Sequence, residues 1–147
     1  PLHLCGLSLG GILALQYAAE HPTHAASLVL IGAQYRMPGK LLAVQSAVFR
    51  LMPERAFRQM GFAKQDVLRL TGSMADLDFG DALSAIPCPA LIICGGKDRA
   101  NRAAAQELTA RLPDARLQTI EGAGHEVNVD TPAQLALALT RFWHAKN

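Results

Sequence analysis

The sequence has no apolar segment long enough to cross a membrane. A membrane-spanning helix needs about 20 consecutive apolar residues, and the apolar runs at 28–31 and 90–94 have only the length of a strand. A basic cluster is also missing, because the net charge is +2 and the Lys and Arg residues are dispersed, whereas a nucleic-acid groove gathers them on one face. We therefore expect no membrane partner and no nucleic-acid partner.

Paired cysteines are absent as well. Cys5, Cys88 and Cys94 form no CxxC motif, and an odd number of cysteines argues against a disulfide framework. Cys5 and Cys94 fall in predicted strands, where a free thiol behaves as a small buried apolar group. This usage fits the reducing cytoplasm, where we expect the protein to be located. No histidine or cysteine stands at metal-ligand spacing, so we expect neither a metal nor a cofactor.

What the sequence does contain is a repeated alternation of strand and helix. With 147 residues, 50% of them hydrophobic, the chain is long enough for one domain with a sizeable core. Apolar runs bounded by Gly or Pro predict strands, and apolar residues at helical spacing predict helices. The predicted strands are 2–5, 28–31, 90–94 and 115–120, and the predicted helices are 10–20, 101–112 and 131–143. This pattern indicates the α/β class, with a mostly parallel sheet covered by helices on both faces.

Polar residues stand where two of these helices begin. Asn101 opens the helix at 101–112, and Thr131 precedes Pro132 at the start of the last helix. Asn and Thr are favoured N-caps, and proline is favoured at the first helical position. We therefore predict that Asn101 and Thr131 cap these helices.

The segment 36–85 departs from the alternation of strand and helix. It contains no convincing strand, and its apolar residues recur at helical spacing. It is too long for a plain crossover, whose connections take about 2 to 6 residues each. Breaks divide it into roughly two to four short helices, at Pro38-Gly39, Pro53, Gly61 and Gly72. We predict a helical lid or cap at 36–85 on a core domain of 1–35 and 86–147, with extra scaffold helices as the alternative.

A serine between glycines follows the first predicted strand. Ser8 is preceded by Gly6 and followed by Gly10 and Gly11. This is the pattern of a nucleophile elbow, in which a sharp strand-to-helix turn holds the serine in a strained conformation and leaves little room for neighbouring side chains. The alternative is a small residue packed in a tight turn. The pattern favours a nucleophilic serine.

A serine hydroxyl needs a base to take its proton and an acid to orient that base. His125 lies in a glycine-rich loop directly after the last predicted strand, and Asp98 follows the strand 90–94. All three candidates thus fall at carboxyl ends of parallel strands, the edge of an open α/β sheet where sites form. Their chain order is Ser8, Asp98, His125.

This chain order resembles that of the α/β-hydrolases. The resemblance covers essentially the whole chain, and it looks like the part of such a domain from the nucleophile elbow onward, with weak similarity to enol-lactonases and esterases. The matching segments are the elbow at 6–11, the strand at 28–31, the stretch 86–98, the loop at 122–125 and Thr131-Pro132.

The resemblance implies a hydrolase that cleaves an ester, lactone or related acyl bond of a small apolar substrate. Ser8 would attack the acyl carbon, His125 would move the proton, and Asp98 would orient the imidazole. The backbone N–H of Leu9 would be an oxyanion donor. Some members place the acid after the preceding strand, but the stretch 31–35 holds no carboxylate. A serine at the elbow also argues against the haloalkane dehalogenase and epoxide hydrolase branches.

Other residues are weaker candidates. Glu126 could be an alternative acid, but adjacent side chains rarely face one another. In the family a second oxyanion donor lies in the loop after an early strand and is often marked by a His-Gly dipeptide, and no such dipeptide occurs here. We therefore expect weak activity from a truncated domain, or a homo-oligomer in which a second copy covers the exposed strand Leu2–Cys5. A binding module and a catalytically silent, oligomerising remnant are the alternatives to an enzyme.

Overall fold

The computed structural model describes residues 1–37 and 39–145, apart from the side chain of Leu41; Pro38, one of the predicted breaks, lies outside them. The strands are β1 (Leu2–Leu7), β2 (Ala25–Ile31), β3 (Ala90–Gly95) and β4 (Ala115–Ile120). The helices are α1 (Leu9–Glu20), α2 (Gly39–Leu51), α3 (Glu54–Gln59), α4 (Lys64–Ser73), α5 (Arg102–Arg111), α6 (Val127–Asp130) and α7 (Pro132–His144). In the described ranges, no helix combines the length and the apolar character needed to cross a membrane.

The four strands form one parallel sheet in the order β1-β2-β3-β4. Leu28 of β2 lies beside Leu4 of β1 and Ala90 of β3, which sets the register across the first three strands. All four strands run in the same direction, and parallel neighbours require a crossover between them. The carboxyl ends of the strands therefore meet at one edge of the sheet. The predicted parallel sheet is confirmed, with β1 reaching two residues further than expected, to Leu7.

Both faces of the sheet are covered, because alternate residues of the central strands point to opposite sides. Leu28 and Ile92 belong to one buried cluster, which includes residues of α1 and α5. Val29 and Ile93 belong to the other, in which Phe142 of α7 is buried. The two apolar clusters hold the central strands rigidly, and this fixes the positions of the loops that follow them.

The strand β1 lies at an edge of the described sheet. Leu2 is 53% exposed there. Cys88 and Cys94 are buried, but Cys5 is exposed, so the expectation that Cys5 behaves as a buried apolar group is wrong, because β1 has a neighbour on one side only. Pairing of this strand with a second copy of the chain stays a prediction.

The two predicted N-caps do not cap their helices with their side chains. Asn101 and Thr131 do occupy the N-cap positions of α5 and α7, but neither makes a side-chain capping hydrogen bond. The Thr131 hydroxyl instead donates to the carbonyl oxygen of Val127 at 3.3 Å. The predicted N-cap positions are confirmed, but both side chains bind partners outside the first turn of the helix.

The chain divides into two compact units. One comprises Pro1–Tyr35 and the chain from Phe79 onward, and the other comprises Arg36–Asp78. In the smaller unit the Lys64 ammonium donates to the carbonyl oxygens of Arg50 and Met52, both at 2.7 Å, and so ties α4 to the end of α2. The smaller unit ends at Asp78 rather than at the predicted boundary of 85, because Leu83 is fully buried in the core of the larger unit.

Candidate active site

Ser8 occupies a strained turn between β1 and α1. Its φ is 53° and its ψ is −116°, and it is the one non-glycine residue with positive φ among those that the structure describes. Such a conformation costs about 1–3 kcal/mol and persists only where the surroundings enforce it. The hydroxyl of Ser8 makes no capping hydrogen bond to α1. A purely structural role as helix cap therefore does not explain this serine.

The glycines around Ser8 differ in their need for space. A Cβ on Gly6 would overlap the carbonyl oxygen of Gly10, and a Cβ on Gly11 would lie 2.6 Å from the Cβ of Ala33. The expectation that the turn leaves little room for side chains is wrong at Gly10, because a Cβ there would meet no heavy atom within 4 Å. Close approach of strand and helix thus requires Gly6 and Gly11, whereas the turn leaves room for a side chain at Gly10.

Asp98 and His125 come together at the carboxyl edge of the sheet. Asp98 follows β3 and His125 follows β4, and the His125 Nδ1 lies 2.9 Å from the Asp98 Oδ2. The side chain of Asp98 is 5% exposed and that of His125 is 41% exposed. The carboxylate accepts, so the neutral imidazole carries its proton on Nδ1 and leaves Nε2 as an acceptor. This is the tautomer that a general base requires.

The ionised form of Asp98 is stabilised despite its burial. Desolvation raises the pKa of this carboxyl, but hydrogen bonds from His125 and Asn101 and the charge of a protonated His125 lower it by more, so that the pKa lies below its ordinary value. A carboxylate that accepts several hydrogen bonds keeps its charge in a buried site. Asp98 is therefore suited to stabilise a positive charge on the imidazole.

The strand β2 connects Ser8 to this pair. The backbone N–H of Ser8 donates to the carbonyl oxygen of Ile31 at 2.8 Å. The next residue is Gly32, with φ of 54°, and a Cβ there would lie 3.0 Å from the His125 Nδ1 and 3.4 Å from the Asp98 Oδ2. Ser8 and the Asp98–His125 pair thus flank the carboxyl end of the same strand. The structure brings all three predicted residues to one edge.

Backbone contacts fix the loop that carries His125. The Gly124 N–H donates to the Asp130 carboxylate at 2.7 Å, and the Lys97 N–H donates to the carbonyl oxygen of Ala123 at 2.9 Å. A Cβ on Gly95 would overlap the carbonyl oxygen of Gly124. The loop therefore packs directly against the end of β3, where Asp98 begins its own turn.

Comparison with known proteins now assigns a family. The sequence profile described as "Alpha/beta hydrolase family" matches residues 1–139. The chain belongs to this family. The predicted family and the predicted fold are both confirmed, and the chain is one of a family of hydrolases.

Two curated relatives match most of this chain. Monoacylglycerol lipase abhd6-B of Xenopus laevis is 27% identical, over 97% of this chain and 54% of the lipase. A pimeloyl-(acyl-carrier protein) methyl ester esterase of Aromatoleum aromaticum is 28% identical, over 92% of this chain and 71% of the esterase. The chain thus spans about half the length of the frog lipase.

Solved structures share the architecture. The enol-lactonase of Burkholderia xenovorans LB400 superposes with a TM-score of 0.83 at 19% identity, over 97% of this chain and 65% of the lactonase. NosK of Streptomyces actuosus superposes with a TM-score of 0.80 at 28% identity, over 99% of this chain and 70% of NosK. The likeness to the lactonase, at that identity, concerns the fold alone.

Leu9 opens α1 directly after Ser8. The first N–H groups of a helix have no intrahelical acceptors. In α1 the N–H groups of Gly11 and Ile12 donate to the carbonyl oxygen of Ser8. The Leu9 N–H belongs to the same positive end of the helix dipole, where an anion is stabilised. The role of the Leu9 N–H as an oxyanion donor stays a prediction.

Sequence reasoning missed four residues around the pair: Gly32, Gln34, Asn101 and Asp130. Asn101 was interpreted as a helix cap, yet its side chain binds Asp98. Gly32 could have been found, because a glycine that closes a strand often marks a close approach or a positive φ. The contact of Gln34 with Asn101 spans 67 residues of sequence, and no local pattern signals it.

Other candidate groups were sought among the residues that the structure describes. Glu126 is exposed and precedes α6. Within residues 1–37 and 39–145, no three His, Cys, Asp or Glu side chains group as metal ligands. A shallow depression bordered by Pro89, Asp114 and Arg116 lies at the amino ends of β3 and β4, the edge opposite the pair.

Proposed function

We propose that the chain provides the catalytic residues of a serine hydrolase that cleaves an ester, lactone or related acyl bond of a small apolar substrate. The observation that carries this proposal is the 2.9 Å contact between His125 Nδ1 and Asp98 Oδ2 beside the strand end that holds Ser8. Asp98 orients the imidazole, so that Nε2 takes the proton of the Ser8 hydroxyl. Ser8 is the nucleophile.

The reaction then proceeds through an acyl-enzyme. The Ser8 oxygen attacks the acyl carbon, and the Leu9 N–H stabilises the oxyanion that develops on the carbonyl oxygen. The protonated His125 returns the proton to the leaving alcohol as the carbon–oxygen bond breaks. Water, deprotonated by His125, then attacks the acyl carbon, and His125 returns the proton to the Ser8 oxygen as the bond to Ser8 breaks and the acid leaves.

The names of two relatives support acyl chemistry on esters. The frog protein is named a lipase of monoacylglycerols, and the bacterial protein a methyl ester esterase. Each name implies an acyl–oxygen bond, but the acyl groups differ. We therefore propose that the chain cleaves an acyl–oxygen bond. The role of the smaller unit, Arg36–Asp78, as a lid stays a prediction.

A pre-steady-state measurement tests the acyl-enzyme. With a short-chain p-nitrophenyl ester, we expect a burst of p-nitrophenol that approaches one equivalent per chain, followed by a slower steady rate. Mass spectrometry of acid-quenched samples should find the acyl group on the peptide that contains Ser8. Folded chain that gives no burst and no acylated Ser8, with esters of several acyl lengths, would contradict the proposed function.

A further inference from the structure

Asn101 makes contacts with Asp98 that helix capping does not require. Its side-chain Nδ2 lies 3.0 Å from the Asp98 Oδ1 and 2.8 Å from the Asp98 Oδ2, and its backbone N–H donates to the Oδ1 at 3.3 Å. Asn101 is 8% exposed and Asp98 is 7% exposed. A buried amide therefore contacts both oxygens of the buried carboxylate.

The orientation of the Asn101 amide is set by Gln34. The Gln34 Nε2 donates to the Asn101 Oδ1 at 2.7 Å. With its oxygen engaged in this way, Asn101 turns its NH₂ group toward Asp98. The opposite orientation would place the Asn101 oxygen against the carboxylate and its nitrogen against the Gln34 nitrogen, and both contacts would be repulsive. Gln34 and the Asp98 carboxylate thus favour the same orientation, in which Asn101 donates to Asp98.

The Asp98 Oδ2 is shared by two donors. The Asn101 Nδ2 is 3.1 Å from the His125 Nδ1, and both nitrogens are donors, so they do not bond to each other. They share the Oδ2 instead, at 2.8 Å and 2.9 Å. Asn101 and His125 thus both donate to this oxygen, and Asn101 also contacts the Asp98 Oδ1 at 3.0 Å. The carboxylate cannot rotate without losing a hydrogen bond in a buried site.

We propose that Asn101, oriented by Gln34, is a positioning residue that holds the Asp98 carboxylate in the orientation that accepts the Nδ1–H of His125. The inference rests on the proposed function, since it assigns a role to these amides in the same site. Neither amide touches the reacting atoms. Both act through Asp98, and a relay of three side chains, Gln34 to Asn101 to Asp98, supports the base.

Substitution of Asn101 by leucine removes the side-chain hydrogen bonds to Asp98 and keeps the branched shape of the side chain. In N101L we expect kcat for the p-nitrophenyl ester to fall about 10- to 100-fold, a loss like that seen when the hydrogen-bond partners that orient metal-ligating side chains are removed, with KM nearly unchanged. The carboxyl carbon of Asp98, followed by ¹³C NMR, should titrate at a higher pH than in the original chain, because one donor to the charged form is lost. Q34L should also lower kcat and raise the pH at which Asp98 titrates, but both effects should be smaller than in N101L.

The control is Q16L, because the Gln16 amide also donates a side-chain hydrogen bond, to Glu20 at 2.9 Å, but on the exposed surface of α1. Q16L should leave kcat and the Asp98 titration unchanged. Q34L supplies the test if N101L does not fold. Lower thermal stability with an unchanged Asp98 titration and an unchanged kcat in the folded variants would overturn the proposal.

The NMR titration also separates the two proposals. A raised Asp98 titration in N101L, in a chain whose Ser8 is never acylated, would support the positioning contact and count against the hydrolase function. An acylated Ser8 with an unmoved Asp98 titration would support the hydrolase function and overturn the positioning role of Asn101.

Discussion

Replacing Asp98 with asparagine is expected to lower kcat/KM for ester hydrolysis by about 10⁴-fold, because the wrong tautomer of the base is then stabilised. In the original chain the Asp98 Oδ2 accepts from the His125 Nδ1 at 2.9 Å. The new amide would have to satisfy both His125 and the Asn101 Nδ2, and turning its oxygen to Asn101 would turn its NH₂ to His125. Nδ1 would then accept, and the imidazole proton would move to Nε2, which could no longer receive the proton of Ser8.

The control is the neighbouring carboxylate. E126Q removes a charge directly beside His125, but Glu126 is exposed and is expected to change kcat/KM by less than about threefold, as for a solvent-screened surface charge. Steady-state kinetics of both variants, with circular dichroism to establish folding, decides between the two acids. A large loss in E126Q together with a small loss in D98N would make Glu126 the acid and contradict the assignment.

The substitution G6A is expected to lower the free energy of unfolding by about 3 kcal/mol or more, at or beyond the upper end for overpacked sites. A Cβ on Gly6 would overlap backbone atoms of Gly10 and Gly11. Flexible side chains can move aside, but these atoms belong to the first turn of α1. Either β1 or α1 would have to shift, and the strained turn at Ser8 lies between them.

The control is G10A, on the other side of Ser8. A Cβ on Gly10 meets no heavy atom within 4 Å, and alanine is the better helix former by about 1 kcal/mol. We expect G10A to be as stable as the original chain or slightly more stable. Urea unfolding of both variants measures the difference. Equal losses in G6A and G10A would contradict the steric account of the elbow, which distinguishes the two glycines.

The sequence predicted the parallel sheet correctly, for a physical reason. Short apolar runs bounded by Gly or Pro, such as 28–31 and 90–94, are typical of central strands, and the structure places β2 and β3 there, with both faces covered. Once the strands are parallel, residues just after them must meet at one edge. The sequence alone therefore predicts that one edge of the sheet carries Ser8, Asp98 and His125.

The details that the sequence did not predict depend on long-range contacts. Asparagine is a residue type favoured at helix caps, but the side-chain amide of Asn101 donates to the buried charge of Asp98 instead. Gln34, which follows another strand, donates to the amide oxygen of Asn101. The two elbow glycines look equivalent in sequence, and only the packing of β1 against α1 distinguishes Gly6 from Gly10. Local propensity cannot reveal either difference.

The most direct test of the central claim, that Ser8 is a nucleophile activated by His125 and Asp98, is labelling with a fluorophosphonate and mapping of the adduct by mass spectrometry. The account predicts one adduct per chain, on Ser8, with labelling strongly slowed in H125A. Ser27, which is 2% exposed, serves as the internal control and should stay unmodified. A folded chain that carries no adduct on Ser8, or that labels equally fast in H125A, would contradict the account.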